Sequence, residues 1–214
     1  MELYSFFIVY IKGDIRFLME RSLKIQREVI DGCKRGDGHA FLEIVLTYQK
    51  KVFNIAFRML GNREDAKELS QEVFISVLES IKDLKDVLKF ESWLTQITLN
   101  HCRNRWKYLK RRQYFKTDSL NHPIETENGE AERAIYSPSH NPETLFEKKM
   151  IREFVQRGLM KLKEDQRELI VLRDLLGYSY EEIGELFSLP VGTIKSKLHR
   201  ARMELKEILE RSLH

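Results

Sequence analysis

Proline and glycine are scarce in this chain, with four prolines and ten glycines among 214 residues. Little turn punctuation is therefore available, and long helical periods dominate, so an almost all-α protein is expected. Cysteine is scarcer still: Cys33 and Cys102 lie far apart and form no C-x-x-C pair. A structural zinc site is not expected, and two lone thiols fit a reducing compartment, the cytoplasm. Long apolar runs are also missing. The stretch LYSFFIVYI at residues 3–11 falls far short of the roughly 20 residues a membrane span requires. It has neither the basic leader nor the small-residue cleavage site of a secretory signal. No membrane span is expected, and residues 1–19 are read as an N-terminal extension of unknown role, with Met19 as a second possible start. The six histidines are scattered, and no H-x-x-x-H, paired-Asp or Gly-rich phosphate loop occurs. No catalytic residue, metal site or cofactor is expected, and the chain is not read as an enzyme.

What is present centres on Ser179 to Arg202, SYEEIGELFSLPVGTIKSKLHRAR. Ser179 and Glu182 form an S-x-x-E capping box, and Ile183, Leu186 and Phe187 make an apolar stripe behind it. Pro190 disfavours helical geometry at Leu189 and marks a turn. In the helix that follows, Val191, Ile194 and Leu198 face inward, whereas Lys195, Lys197, His199, Arg200 and Arg202 point elsewhere. The spacing predicts a helix-turn-helix whose second helix is cationic, a shape that fits the DNA major groove. The plainer alternative is an amphipathic hairpin with a solvated basic face.

Upstream, a short helix is expected over 21–35, stopped by Gly36-Asp37-Gly38, with Asp37 as the next N-cap. A second helix is expected from about His39 to Leu60, closed by Gly61, with Asn62 capping a third from about Arg63 to Ile81. On that third helix Ala66, Leu69, Val73, Phe74, Val77, Leu78 and Ile81 point toward a core. Its other face shows Glu68, Gln71, Glu72 and Glu79, which spacing alone reads as a solvated acidic face or as a dock for a basic partner. After a loop over 82–89, a fourth helix is expected from about Phe90 to Gln113. Beyond its apolar start lie Arg103, Arg105, Lys107, Lys110, Arg111, Arg112 and Lys116 without an intervening acid, interleaved with Trp106, Tyr108, Tyr114 and Phe115. Such a run repels itself unless a polyanion is near, and its aromatics can stack on unpaired bases. Residues 114–142 are polar and rather acidic and are read as a flexible linker. Asn141-Pro142-Glu143 then restarts helix, with helices expected over about 143–162 and 165–176. The expected architecture is all-α, with two small helical domains, 20–113 and 143–214.

These segments, in this order, resemble the extracytoplasmic-function (ECF) sigma factors of bacterial RNA polymerase over about residues 25–211. DAKELSQEVFISVLESI is similar to the helix that clamps the coiled coil of the polymerase β′ subunit; FESWLTQITLNHCRNRW resembles the segment that opens and reads the minus-ten element. SYEEIGELFSLPVGTIKSKLHRAR is similar to the minus-thirty-five reader. The loop 86–89 departs from the family's Gly/Ser-rich form, Glu91 and Thr95 replace residues that are often basic or aromatic, and Lys163-Glu164 stands where a Pro-containing turn is common. The resemblance implies sigma domain 2 over 20–113 and sigma domain 4 over 143–214. It implies polymerase core binding through Glu68, Leu69, Gln71, Glu72, Phe74, Ile75 and Glu79. Minus-ten contacts are implied for Trp93, Asn100, Arg103, Asn104 and Lys107, and minus-thirty-five contacts for Thr193, Lys195, Ser196, Lys197, His199, Arg200 and Arg202. Implied partners are core RNA polymerase (β′ coiled coil and β flap), promoter DNA and an anti-sigma factor. A stand-alone helix-turn-helix regulator is the alternative function, and a nucleic-acid enzyme a more remote one.

Overall fold

The computed structural model describes residues 27–116 and 142–212, with the side chains of residue 88 and of residues 112–149 outside the description. The N-terminal extension, the 117–141 stretch of the expected linker and the Asn141 cap lie outside the described residues. Those residues contain helices and no strand: α1 Arg27–Lys34, α2 Gly38–Leu60, α3 Arg63–Ser80, α4 Phe90–Lys116, α5 Pro142–Lys161, α6 Glu164–Ile170, α7 Tyr180–Phe187 and α8 Val191–Arg211. The helix expected over 21–35 is described only from Arg27 on.

Local sequence explains the boundaries. Asp37 accepts from the amides of His39 and Ala40 at the start of α2, and Asn62 from Glu64 and Asp65 at the start of α3. Each supplies an acceptor to amides that have no partner inside the helix. Gly61 ends α2 at φ 79°, a left-handed conformation that costs glycine nothing. Two 3₁₀ turns, Ile81–Asp83 and Val87–Lys89, carry the chain to α4.

Helices α2, α3 and α4 enclose one core, filled by Ile44, Val52, Ile55, Leu69, Val73, Val77, Leu94 and Leu99. In the C-terminal half, α5, α6 and α8 bury Leu159, Leu169, Leu172, Ile194, Leu198 and Leu205. Helix α6 runs directly into a π-helical turn, Val171–Leu175, where Leu176 N–H reaches back to Val171 O at 2.9 Å. The break expected near residue 164 is present, whereas the helix expected to run through 176 changes its winding at 171.

The two helical domains also pack on one another, α2 against α5 and α6, and α4 against α7. The last carbonyls of α2 have no acceptor role inside their own helix. Gln156 Nε2 donates to Phe57 O and Arg58 O, and Arg167 Nη1 donates to Met59 O at 2.5 Å. The C-terminal domain thus completes the end of an N-terminal-domain helix.

Candidate nucleic-acid interface

The helix-turn-helix forms as its spacing predicts. Ser179 Oγ accepts from Glu182 N–H at 3.1 Å, and Glu182 Oε2 accepts from Ser179 N–H at 2.6 Å. Ser188 adopts φ 53°, and Leu189 N–H bonds back to Gly184 O, which closes the turn before α8. A methyl group on Gly184 would meet the backbone carbonyl oxygen of Leu189 at 2.9 Å, so the turn packs this closely on α7 only because position 184 has no side chain.

On α8, Ile194, Leu198, Ala201 and Leu205 point inward, leaving Lys195, Ser196, His199 and Arg200 exposed, with Thr193 and Lys197 half-buried beside them. Lys195 Nζ lies 5.4 Å from the Tyr180 ring centroid, and Lys197 sits 3.8 Å from Asp165 at the surface. Ser196 Oγ donates to Thr193 O. Arg202 is different in kind. Its guanidinium grips Asp174 through two nitrogens, with Nε–Oδ2 at 3.0 Å, and Asp174 is buried in the π-helical turn. Its position in the basic run suggests a DNA contact; its geometry makes it a brace between α8 and that turn.

The basic run of α4 is divided in the same way. Asn100, Asn104 and Lys107 are exposed. Arg105 turns back onto α3, with Nη2 2.7 Å from Glu72 and Nη1 3.3 Å from Glu68 and 3.5 Å from Asp65. Burial works against its charge, but the carboxylates outweigh burial and raise its pKa. Arg103 forms a bidentate pair with Glu168 of α6, both contacts at 2.7 Å, and its Nη1 donates to Asn100 Oδ1 at 2.9 Å. Hydrogen bonding to Glu168 raises the Arg103 pKa; burial pushes the Glu168 carboxyl up although Arg103 pulls it down. The run lacks acids in sequence, yet tertiary contacts supply them, which sequence periodicity cannot see. Trp93 packs at 5.9 Å, centroid to centroid, on Phe90 and lines a cleft of about 280 Å³ with Lys85, Lys89, Gln96, Glu182 and Glu185. The departures at Glu91 and Thr95 have partners: Glu91 accepts from Lys51 and Tyr48, and buried Thr95 Oγ1 lies 2.7 Å from Tyr178 Oη.

On α3, Glu68, Gln71, Glu72, Ile75 and Glu79 are exposed, Ile75 at 57 %. Leu69 and Phe74 are not available to a partner. They are 0 % and 8 % exposed and belong to the core beneath that face, because each lies on the stripe with Ala66, Val73 and Val77.

Two residues carry the junction of the domains without any motif to announce them. Arg167 is 0 % exposed, donates to Leu159, Met160 and Leu162 carbonyls as well as to Met59, and its guanidinium carbon sits 4.5 Å from the Trp106 ring centroid. Burial lowers its pKa to about 10. Glu168 follows directly, and residues 167–172 are buried on every side of the helix. A six-residue run buried all round has no periodicity, and the polar residues 163–166 before Arg167 and Glu168 make the pair look like part of a solvated helix start.

Comparison with known proteins identifies the family. A family model described as Sigma-70 region 2 matches residues 44–112, and one described as Sigma-70, region 4 matches residues 154–205. The chain is 32% identical over 180 residues to the ECF RNA polymerase sigma factor SigW of Bacillus subtilis, covering 84% of this chain and 94% of that protein. The chain is an ECF RNA polymerase sigma factor. The ECF RNA polymerase sigma-E factor of Escherichia coli is 34% identical over 174 residues, 81% of this chain and 88% of its own. In fold, this sigma factor is similar to CnrH, solved in complex with the cytosolic domain of CnrY (TM-score 0.60, 20% identity, 87% of this chain and 98% of that one). It is also similar to RpoE of Bartonella quintana, solved with the anti-sigma factor NepR (TM-score 0.55, 22% identity, 79% and 96%). The ECF sigma factor therefore serves promoter recognition in transcription initiation, as a DNA-binding factor. Among its described residues no helix is long and apolar enough to cross a membrane.

Proposed function

We propose that residues 20–113 act as sigma domain 2 and residues 143–214 as sigma domain 4 of a cytoplasmic holoenzyme, with no catalytic site in the sigma factor itself. Helix α8 reads duplex minus-thirty-five DNA through Thr193, Lys195, Ser196, Lys197, His199 and Arg200. The observation that carries this reading is the separation of α8 into an inward apolar stripe and an outward polar and cationic edge, at the second position of a capped helix-turn-helix. Arg202 supports that edge from behind through Asp174.

Helix α4 holds the opened minus-ten strand. Trp93 and Asn100 meet an unstacked base, while Arg103, Asn104 and Lys107 hold phosphates. Extruding a base costs a few kcal/mol, which these contacts offset only once the strand is open. The exposed face of α3 (Glu68, Gln71, Glu72, Ile75 and Glu79) binds the β′ coiled coil, and domain 4 meets the β flap. An anti-sigma factor is the expected regulator, as in the solved complex of the similar RpoE with the anti-sigma factor NepR. The test is reconstituted transcription with core polymerase on a minus-thirty-five-dependent promoter, with footprinting. Protection of both elements that requires core enzyme is the expected result. Equal protection by the sigma factor alone would point to a stand-alone regulator.

A further inference from the structure

We propose that the apolar run at residues 3–11 docks on a second apolar stripe of α2, the one carrying Leu42, Leu46 and Phe53.

Helix α2 is apolar on two sides. Ile44, Tyr48, Val52, Ile55 and Met59 recur at three- and four-residue steps and are buried in the core. Leu42, Leu46, Phe53 and Phe57 repeat at steps of four, seven and four, which also places them along one side of a helix. Leu42 is 53 % exposed and Leu46 61 %. Phe53 is half-buried, its ring stacked on Phe57 at 6.1 Å between centroids, with the Arg63 guanidinium 5.8 Å away. A surface helix ordinarily turns polar residues away from its core stripe. Single exposed leucines need no explanation, but a row of apolar side chains at helical spacing marks a place where something binds. The function proposed above leaves this row unused, since it places the core-binding face on α3 and the DNA surfaces on α4 and α8.

The chain carries an occupant of matching chemistry. Residues 3–11, LYSFFIVYI, are apolar at every position except Ser5. The run is far too short for a membrane span, and leaving it in water is unfavourable. The point where the chain enters the described structure directs it to α2. Helices α1 and α2 pack together and are joined by residues 35–37 alone, so α1 runs back along α2. Arg27 stands about 10 Å back from Lys34, and the same rise from Gly38 along α2 reaches Val45, beside Leu46 and one turn from Leu42. Residues 12–26 between the run and Arg27 reach up to about 50 Å. Leu42 to Phe53 covers about 16 Å of helix, a length that nine residues span. A segment on such a tether acts at an effective concentration of about millimolar. That favours the chain's own run over a second copy of the protein.

The experiment uses the full chain. Gln49 is exposed and lies between Leu46 and Phe53, whereas Cys33 and Cys102 are buried, so Gln49→Cys takes the environment-sensitive dye acrylodan selectively. Its emission in the full chain should lie to the blue of that in a chain starting at Met19. Phe6→Ser with Phe7→Ser alters none of the described residues; it should move the emission of the full chain to that of the shortened one, with circular dichroism unchanged. Leu42→Ser with Leu46→Ser should do the same from the other side of the contact. The same dye on Glu207→Cys, an exposed position on α8, should not respond to any of these changes. Equal Gln49→Cys emission in the full chain, the shortened chain and the Phe6→Ser, Phe7→Ser protein overturns the docking. An equal response at position 207 overturns it as well, because the run would then be acting without a defined site. A blue shift that fades on dilution from micromolar to nanomolar protein assigns the stripe to a second copy and likewise overturns the proposal.

Discussion

At the scale of single residues, neighbouring arginines on one helix have opposite duties. Arg200 is exposed and its nearest bond is to Ser196 O in its own helix, whereas Arg202 holds the buried carboxylate of Asp174. Arg200→Ala should leave the melting temperature unchanged and weaken occupancy of a minus-thirty-five-dependent promoter. The loss should be about 1–3 kcal/mol if the contact is a bidentate base contact. Arg202→Ala should remove both of its bonds to the buried Asp174 carboxylate and cost about 1–2 kcal/mol of stability, allowing for the open side of the pair. In a protein of this size that is a fall of several degrees in Tm. Calorimetry and footprinting of the two variants check the division; equal melting temperatures would show that Asp174 does not depend on Arg202. Sequence alone places both arginines on a basic edge, because the acid that claims Arg202 lies 28 positions away in a π-helical turn that no propensity announces.

At the scale of elements, the acidic face of α3, the docking surface proposed for core polymerase, is half of an internal clamp. Glu68 and Glu72 hold Arg105, so Glu68→Lys with Glu72→Lys should reduce recovery of core polymerase and also lower Tm by a few degrees, through like charges facing Arg105. Ile75→Glu separates the two effects. Ile75 is exposed and apolar and the ion pairs of the clamp run between Arg105 and Asp65, Glu68 and Glu72, so core binding should fall with Tm unchanged; co-purification at wild-type levels would remove α3 from the core interface. A second element test is Gly61→Ala. It forces an L side chain to φ 79° and sets a methyl group 2.7 Å from Met160 Sδ, so it should cost about 1 kcal/mol or more. Guanidinium-chloride unfolding measures it. Caps and stops such as Asp37, Gly61, Asn62 and Ser179 are legible in sequence because each acts within four residues of itself. The pairing of α5 and α6 onto α2 is not legible, because its determinants, Gln156 and Arg167, are single polar residues whose partners are backbone carbonyls.

At the scale of the whole molecule, the proposed function has two cationic helices meet different states of one promoter. Helix α8 has an exposed polar and cationic edge of the shape a duplex groove accepts, whereas Asn100, Asn104 and Lys107 form an exposed polar row on the helix whose start lines a cleft that contains a tryptophan. Single-stranded binding sites combine a cationic track with an aromatic platform, and that combination occurs on α4 rather than α8. Asn100→Ala should therefore leave closed-complex binding near wild type and impair promoter opening, because a base reaches this side chain only after unstacking. Trp93 also packs on Phe90, so Trp93→Phe is the milder probe and Trp93→Ala should lose some stability in addition to opening. A premelted bubble removes the melting cost from the measurement. It should rescue Lys107→Ala, whose contribution is to phosphate affinity, but should not restore base discrimination lost with Asn100. Permanganate reactivity of minus-ten thymines, measured beside filter binding, resolves the two steps. Normal thymine reactivity in the bound Asn100→Ala and Trp93→Phe complexes would assign the opened strand to another surface and leave Trp93 as a packing residue at the rim of the cleft.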